Sequence, residues 1–107
     1  MLHKLAIITV IYENYTILTD YFASFNKQTD KDFHIYVIDN SEYKKKMEYP
    51  DYVSYIPGQN KGYASGVNRG TSQALKDGYS LLCITNSDIT AKENFVEKVK
   101  ASLTQHP

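Results

Sequence analysis

The sequence has no tryptophan, a single cysteine, three prolines, five glycines and no net charge, since twelve lysines and arginines match twelve aspartates and glutamates. The lone cysteine excludes a disulfide framework within the chain. Cys83 lies in the apolar run Leu81-Leu82-Cys83-Ile84, where a buried, inert thiol is expected rather than a nucleophile or a metal ligand. Unpaired cysteine of this kind suits a reducing cytoplasm. Charge balance removes the global field that would draw nucleic acid or an anionic membrane, so no nucleic-acid partner is expected. Any anionic ligand must instead be held by local dipoles, a few cations or a metal. No apolar run approaches ~18 residues, which excludes a helical membrane span. Met1-Leu2-His3-Lys4 runs directly into a strand-like segment with no cleavable leader pattern. Repeats, low-complexity stretches and interdomain linkers are missing too, so one domain over 1–107 is expected, burying about 65% of its unfolded surface.

What is present is alternation. Leu5 to Ile11 is a nearly continuous apolar, β-branched run, as expected for a strand covered on both faces in a parallel sheet. Asn14 is placed to cap a helix carrying Ile17, Leu18, Tyr21, Phe22 and Phe25 on one stripe. Phe33 to Ile38 reads as a second strand and Tyr52 to Ile56 as a short third. Between them Tyr43-Lys44-Lys45-Lys46 reads as a solvated loop. Tyr63 to Lys76 predicts a helix with Ala64, Val67, Thr71, Ala74 and Leu75 toward the sheet and Asp77-Gly78 as its stop. Tyr79 to Thr85 is a fourth strand. Thr90-Ala91-Lys92-Glu93 reads as a capping box before a last helix with Phe95, Val96, Val99 and Leu103 inward. The order β-α-β-β-α-β-α predicts an α/β fold: a mostly parallel, Rossmann-like sheet of order 3-2-1-4 with helices on both faces. The ten tyrosines are expected mainly as half-buried rings with wet hydroxyls.

In such sheets ligands bind beyond the C-terminal strand ends, where strand order reverses. That rule singles out Val10 to Tyr12, Asp39 to Ser41, Gly58 to Gly62 and Asn86 to Asp88. The first turn, Tyr12-Glu13-Asn14-Tyr15, has no glycine, and no P-loop occurs, so the two common phosphate cradles are absent. Asp39 is suited either to accept a hydrogen bond from a base or ribose, or to form an Asx-turn with Ser41. Asn86-Ser87-Asp88 suits either a divalent metal or a plain turn. Gly62, Gly66 and Gly70 share one helix face and permit close approach of a neighbouring element or a ligand. Arg69 offers a cation to a phosphate or to solvent. His3, His34 and His106 are read as structural or exposed.

Taken together, these segments resemble the N-terminal half of family 2 glycosyltransferases, especially the rhamnosyltransferase-like branch. Val10-Ile11-Tyr12-Glu13-Asn14 is similar to the family's Val-Thr-Tyr-Asn strand end, and Tyr36-Val37-Ile38-Asp39-Asn40-Ser41 to its Val-Val-Asp-Asn-x-Ser segment. Asn60 to Gly70 is similar to Asn-x-Gly-Phe-Ala-x-Gly-x-Asn-x-Gly. Leu82 to Asp88 stands where the branch carries Leu-Leu-Leu-Asn-Pro-Asp, its version of the Asp-x-Asp metal motif. The resemblance implies a GT-A fold and inverting transfer from a UDP- or dTDP-sugar to a glycan or lipid-linked acceptor in cell-surface polysaccharide synthesis. It implies that Val10 and Tyr12 line the base pocket and that Asp39 binds the base. Asn40, Asn60, Gly62, Asn68 and Asn86 would shape the nucleotide-sugar site, with Asp88 holding Mg²⁺ or Mn²⁺. A cytoplasmic location is implied, peripheral at the inner face of the membrane in a full-length protein.

Ile11 and Glu13 depart from the family's Thr and Asn, and the metal motif has only one carboxylate. The family's general base lies downstream of Pro107, so the chain reads as a donor-binding half, truncated before the acceptor half and inactive alone. The alternative reading is a non-catalytic nucleotide-sugar-binding module, or an interaction module dimerising through its exposed sheet edge.

Overall fold

The structure is a computed structural model that describes residues 4–105. Strand β1 (Leu5–Ile11) leads through a 3₁₀ turn (Tyr15–Ile17) into α1 (Leu18–Asn26). Then come β2 (Phe33–Asp39), β3 (Val53–Pro57), α2 (Tyr63–Lys76), β4 (Leu81–Ile84) and α3 (Phe95–Gln105). All four strands are parallel, in the order β3-β2-β1-β4. Leu5 pairs with Phe33 on one side and Leu81 on the other, and Ile35 pairs with Val53.

Alternation along the strands builds two cores. Leu5, Ile7 and Ile11 of β1 and Phe33, Ile35 and Val37 of β2 pack with Leu18, Tyr21, Phe22 and Phe25 of α1 and Val96 of α3. Ala6, Ile8, Tyr36 and Ile38 point the other way, onto Ala74 of α2. Burial of each large aliphatic side chain contributes about 1.5–3 kcal/mol. Central strands covered on both faces are mostly apolar at both parities, which is why β1 reads as a nearly continuous run and β2 as one interrupted only by His34 before it ends in Asp39.

Four local expectations are corrected. Asn14 does not cap α1: its Oδ1 turns back to accept the Tyr12 N–H (3.1 Å), and α1 begins only after the 3₁₀ turn. Helix α2 is rolled from the expected orientation. Gly66, Gly70 and Ala74 face the sheet, while Ala64 and Leu75 are exposed, because the glycine stripe lets the helix axis approach the β-branched rows of β1 and β2. A Cβ on Gly70 would fall 2.7 Å from Ile8 Cγ2. The glycines at 66 and 70 thus serve a neighbouring element.

Finally, α3 begins at Phe95, after the Thr90 to Glu93 segment. Its N-terminus is capped from elsewhere: buried Gln28 accepts the Val96 N–H (2.9 Å) and donates to Lys92 O (2.7 Å). A partner so distant in sequence satisfies the free first-turn donors of a helix as well as a local cap does. Strand β4 is also shorter than expected, since as an edge strand it has β1 as its one partner.

Candidate functional site

The C-terminal ends of the four strands lie together, and strand order reverses between β1 and β4. The turn leaving β1 is tight. Glu13 adopts φ +54°, a left-handed conformation that non-glycine residues rarely take, and its N–H donates to Ser41 Oγ (2.6 Å). Asn40 N donates to Ile11 O (2.9 Å) and Gly58 N to Asp39 O (3.1 Å). These bonds stitch the ends of β1, β2 and β3 into one rim.

Pleating sends Asp39 and Asn40 to opposite faces. Asp39 is wholly buried on the α1 side. Its Oδ2 accepts the phenols of Tyr15 and Tyr55, each at 2.5 Å, and its Oδ1 accepts the Ser41 N–H at 2.9 Å. That last bond is the Asx-turn geometry left open above. Burial works to raise the Asp39 pKa, but the donors from Ser41, Tyr15 and Tyr55 outweigh it and hold the carboxyl below its ordinary value. Tyr55 is pushed upward in turn, by burial first and then by its bond to the Asp39 carboxylate. On the α2 side, Asn40 accepts from Arg69 Nη2 (2.5 Å) and donates to Gly62 O (3.4 Å). Arg69 also lies over Gly58, where a Cβ would come within 2.0 Å of its Nη1. Arg69 thus pins α2 to the strand ends while also lining the open groove beside α2.

Two cavities open on this rim. One, of about 360 Å³, is lined by Tyr12, Asn40, Ser41, Glu42, Lys44, Gly58, Gln59 and Asn60. The other, of about 230 Å³, sits at the reversal point between β1 and β4 and is lined by Val10, Asn14, Asn86, Ser87 and Asp88. Gly62 (φ +97°) forms the N-cap of α2 beside them, with Asn60 Oδ1 accepting its N–H (3.0 Å). Here the left-handed backbone does require glycine.

A family model described as glycosyl transferase family 2 matches residues 6–107. The chain belongs to that family. Two solved structures share the fold of this family 2 chain. The crystal structure of S. aureus TarS aligns with a TM-score of 0.66 at 19% identity, over 96% of this chain and 20% of that one. The crystal structure of S. aureus TarS 1-349 aligns with a TM-score of 0.66 at 18% identity, over 96% of this chain and 33% of that one. This family 2 chain thus spans a fifth to a third of the length of these structural neighbours. No curated protein matches it.

The residues expected at the site divide into groups. Tyr12, Asn40 and Asn60 share the first cavity; Val10, Asn86 and Asp88 share the second. Asp39 lies beneath the rim, and Asn68 lines a separate groove between α2 and β3 with Ile56, Ser65, Arg69 and Ser72. Toward a divalent cation the second cavity offers the Asp88 carboxylate and the side-chain oxygens of Asn86 and Asn14. Among the described residues no three histidine, cysteine or acidic groups cluster to form a complete protein-made metal site. One carboxylate with neutral oxygens does fit an ion that keeps waters and takes its remaining ligands from substrate phosphates. Tyr15, Tyr55 and the inward course of Arg69 carry no local sequence signal. Tyr55 becomes Asp39's neighbour because β3 pairs so that Val37 meets Tyr55 and Asp39 meets Pro57. Cys83, expected to be buried, is half-buried, and that burial raises its thiol pKa. His34 bonds Ser54 Oγ (2.8 Å) in the N-terminal part of the sheet; His3 and His106 lie outside the described residues.

Proposed function

We propose that this chain binds the donor of an inverting sugar transfer, a UDP- or dTDP-linked sugar. The observation that carries the reading is the pair of cavities on either side of the β1 terminus, the smaller of them at the point where strand order reverses. In this reading Tyr12, Asn40 and Asn60 receive the nucleoside. Val10 and the α2 N-terminus with Gly62 border the diphosphate, and Asn86 and Asp88 hold Mg²⁺ or Mn²⁺ against it. Bound there, such an ion supplies positive charge that stabilises the departing nucleoside diphosphate. Asp39 acts from beneath, fixing Ser41 and the rim. The acceptor is a glycan or lipid-linked hydroxyl compound of cell-surface polysaccharide synthesis, met at the cytoplasmic face of the membrane, and the Asn-Ser-Asp strand end favours a deoxyhexose such as rhamnose as the donor sugar. No residue of this chain is assigned as the base that deprotonates the acceptor.

Calorimetric titration of UDP- and dTDP-sugars with and without Mn²⁺ tests this. Binding should depend on the metal, and Asp88→Ala should remove that dependence while Asn68→Ala changes little. Absence of binding at millimolar ligand would sink the reading. A second reading has one observation behind it: among the described residues the outer edge of β4 is unpaired, and Ile84 is 51% exposed, which suits a homodimer formed edge to edge. Sedimentation equilibrium separates it, since a monomer at high concentration excludes that assembly.

A further inference from the structure

The strap between β2 and β3 does more than cross the surface. Its lysine-rich part is exposed, as the sequence suggests, but Met47 and Tyr49 fold back onto the α1-side core. Between strap and sheet lies a cleft of about 700 Å³, lined by Lys44, Lys45, Lys46, Met47, Glu48, Tyr49, Tyr55 and Pro57. Its floor is apolar and aromatic, with the rings of Tyr49 and Tyr55 stacked 4.9 Å apart at 19°. Lys45 and Lys46 stand on the rim without an acidic partner within ion-pair distance among the described residues. Lys44 is occupied by Ser41 O, and Glu48 is the single acidic group of the lining. The Tyr49 hydroxyl is buried with no hydrogen-bond partner, and burial first, then the nearby Asp39 charge, push its pKa up to about 12. Apolar walls with a few charged groups at the mouth are the usual make-up of a small-molecule site, and the volume falls in the usual range.

We propose that this cleft binds an amphiphilic anion, an apolar body on Met47, Tyr49, Tyr55 and Pro57 with a phosphate-like head at Lys45 and Lys46. The site is separate from the donor cavities, sharing only the Lys44 border with the first of them, and it stands whether or not the donor reading does. The test is an NMR titration of the chain with octyl phosphate, 1-octanol and inorganic phosphate. Octyl phosphate should shift the backbone signals of Met47, Tyr49 and Tyr55 saturably, and each half-molecule alone should bind much more weakly. The exposed-site variant Lys45→Ala/Lys46→Ala should lower octyl phosphate affinity roughly tenfold or more, while Lys98→Ala on α3 leaves it unchanged. Sedimentation with phosphatidylcholine vesicles, with and without phosphatidylglycerol, identifies the source. Lysine-dependent pelleting with the anionic vesicles marks a lipid head, and octyl phosphate binding without pelleting marks a free amphiphile. Octyl phosphate binding no tighter than octanol, or the double variant leaving its affinity unchanged, overturns the proposal.

Discussion

Substituting Gly70 by alanine sets two effects of similar size against each other. Alanine in place of a helix-interior glycine stabilises by about 1 kcal/mol through propensity. The added Cβ, however, would lie 2.7 Å from Ile8 Cγ2 and 3.1 and 3.2 Å from Ile38 Cγ1 and Cδ1. Ile8 is wholly buried on a central strand, bonded on both sides, and its β-branched side chain has little rotamer freedom. The helix must therefore lift, at an overpacking cost of about 1–3 kcal/mol. A contact as short as 2.7 Å to a rigid buried side chain puts the cost at the upper end of that range, about 2–3 kcal/mol, so the clash wins and Gly70→Ala should destabilise by about 1–2 kcal/mol after the propensity gain is subtracted. For a domain of this size that lowers Tm by about 5–10 °C, readable by circular dichroism. Gly66→Ala should cost less, because its closest contacts lie at 3.1 Å rather than 2.7 Å. Ile8→Leu removes the Cγ2 methyl, so the double variant with Gly70→Ala should recover part of the loss, a favourable coupling in a double-mutant cycle. A Gly70→Ala protein as stable as the parent would refute the account of why α2 carries its glycines where it does.

Glu13→Gly should stabilise by about 0.5–1 kcal/mol in urea unfolding, since relief of a left-handed non-glycine residue exceeds the added chain entropy; a loss would mean the φ of +54° is not strained. Asp39→Asn should cost at least about 1.5–3 kcal/mol at neutral pH, because it replaces a carboxylate accepting three donors. With the folded pKa depressed from an unfolded value of about 3.9, the stability it provides is complete well above that value. It disappears as pH falls through the folded pKa. The gap between parent and variant should therefore close in acid, and a gap constant from pH 7 to pH 2 contradicts the assignment. Gln28→Ala should lower stability by about 1–3 kcal/mol by leaving the Val96 N–H and Lys92 O unpaired, with hydrogen exchange accelerated first at the start of α3.

Local pattern alone was enough for the kinds of element and their order along the chain. Runs such as Leu5 to Ile11 are almost wholly apolar at both parities, as a strand covered on both faces requires, and α2 was legible over its full span, Tyr63–Lys76. The strand order followed from crossover rules applied to that element order, and the strand-end segments followed from the order in turn. Periodicity is local, so it survives in one dimension. Tertiary structure decided everything that depends on partners distant in the chain. Gln28 replaces the expected capping box across 68 residues. The glycine stripe, not the larger apolar residues, sets the face of α2, because its burial depends on how closely Ile8 and Ile38 stand. Asp39 is held by Tyr15 and Tyr55 from two other segments, which requires the β2–β3 register to be known. A hydrogen bond or a close contact depends on distance in space, and only the assembled sheet fixes that distance.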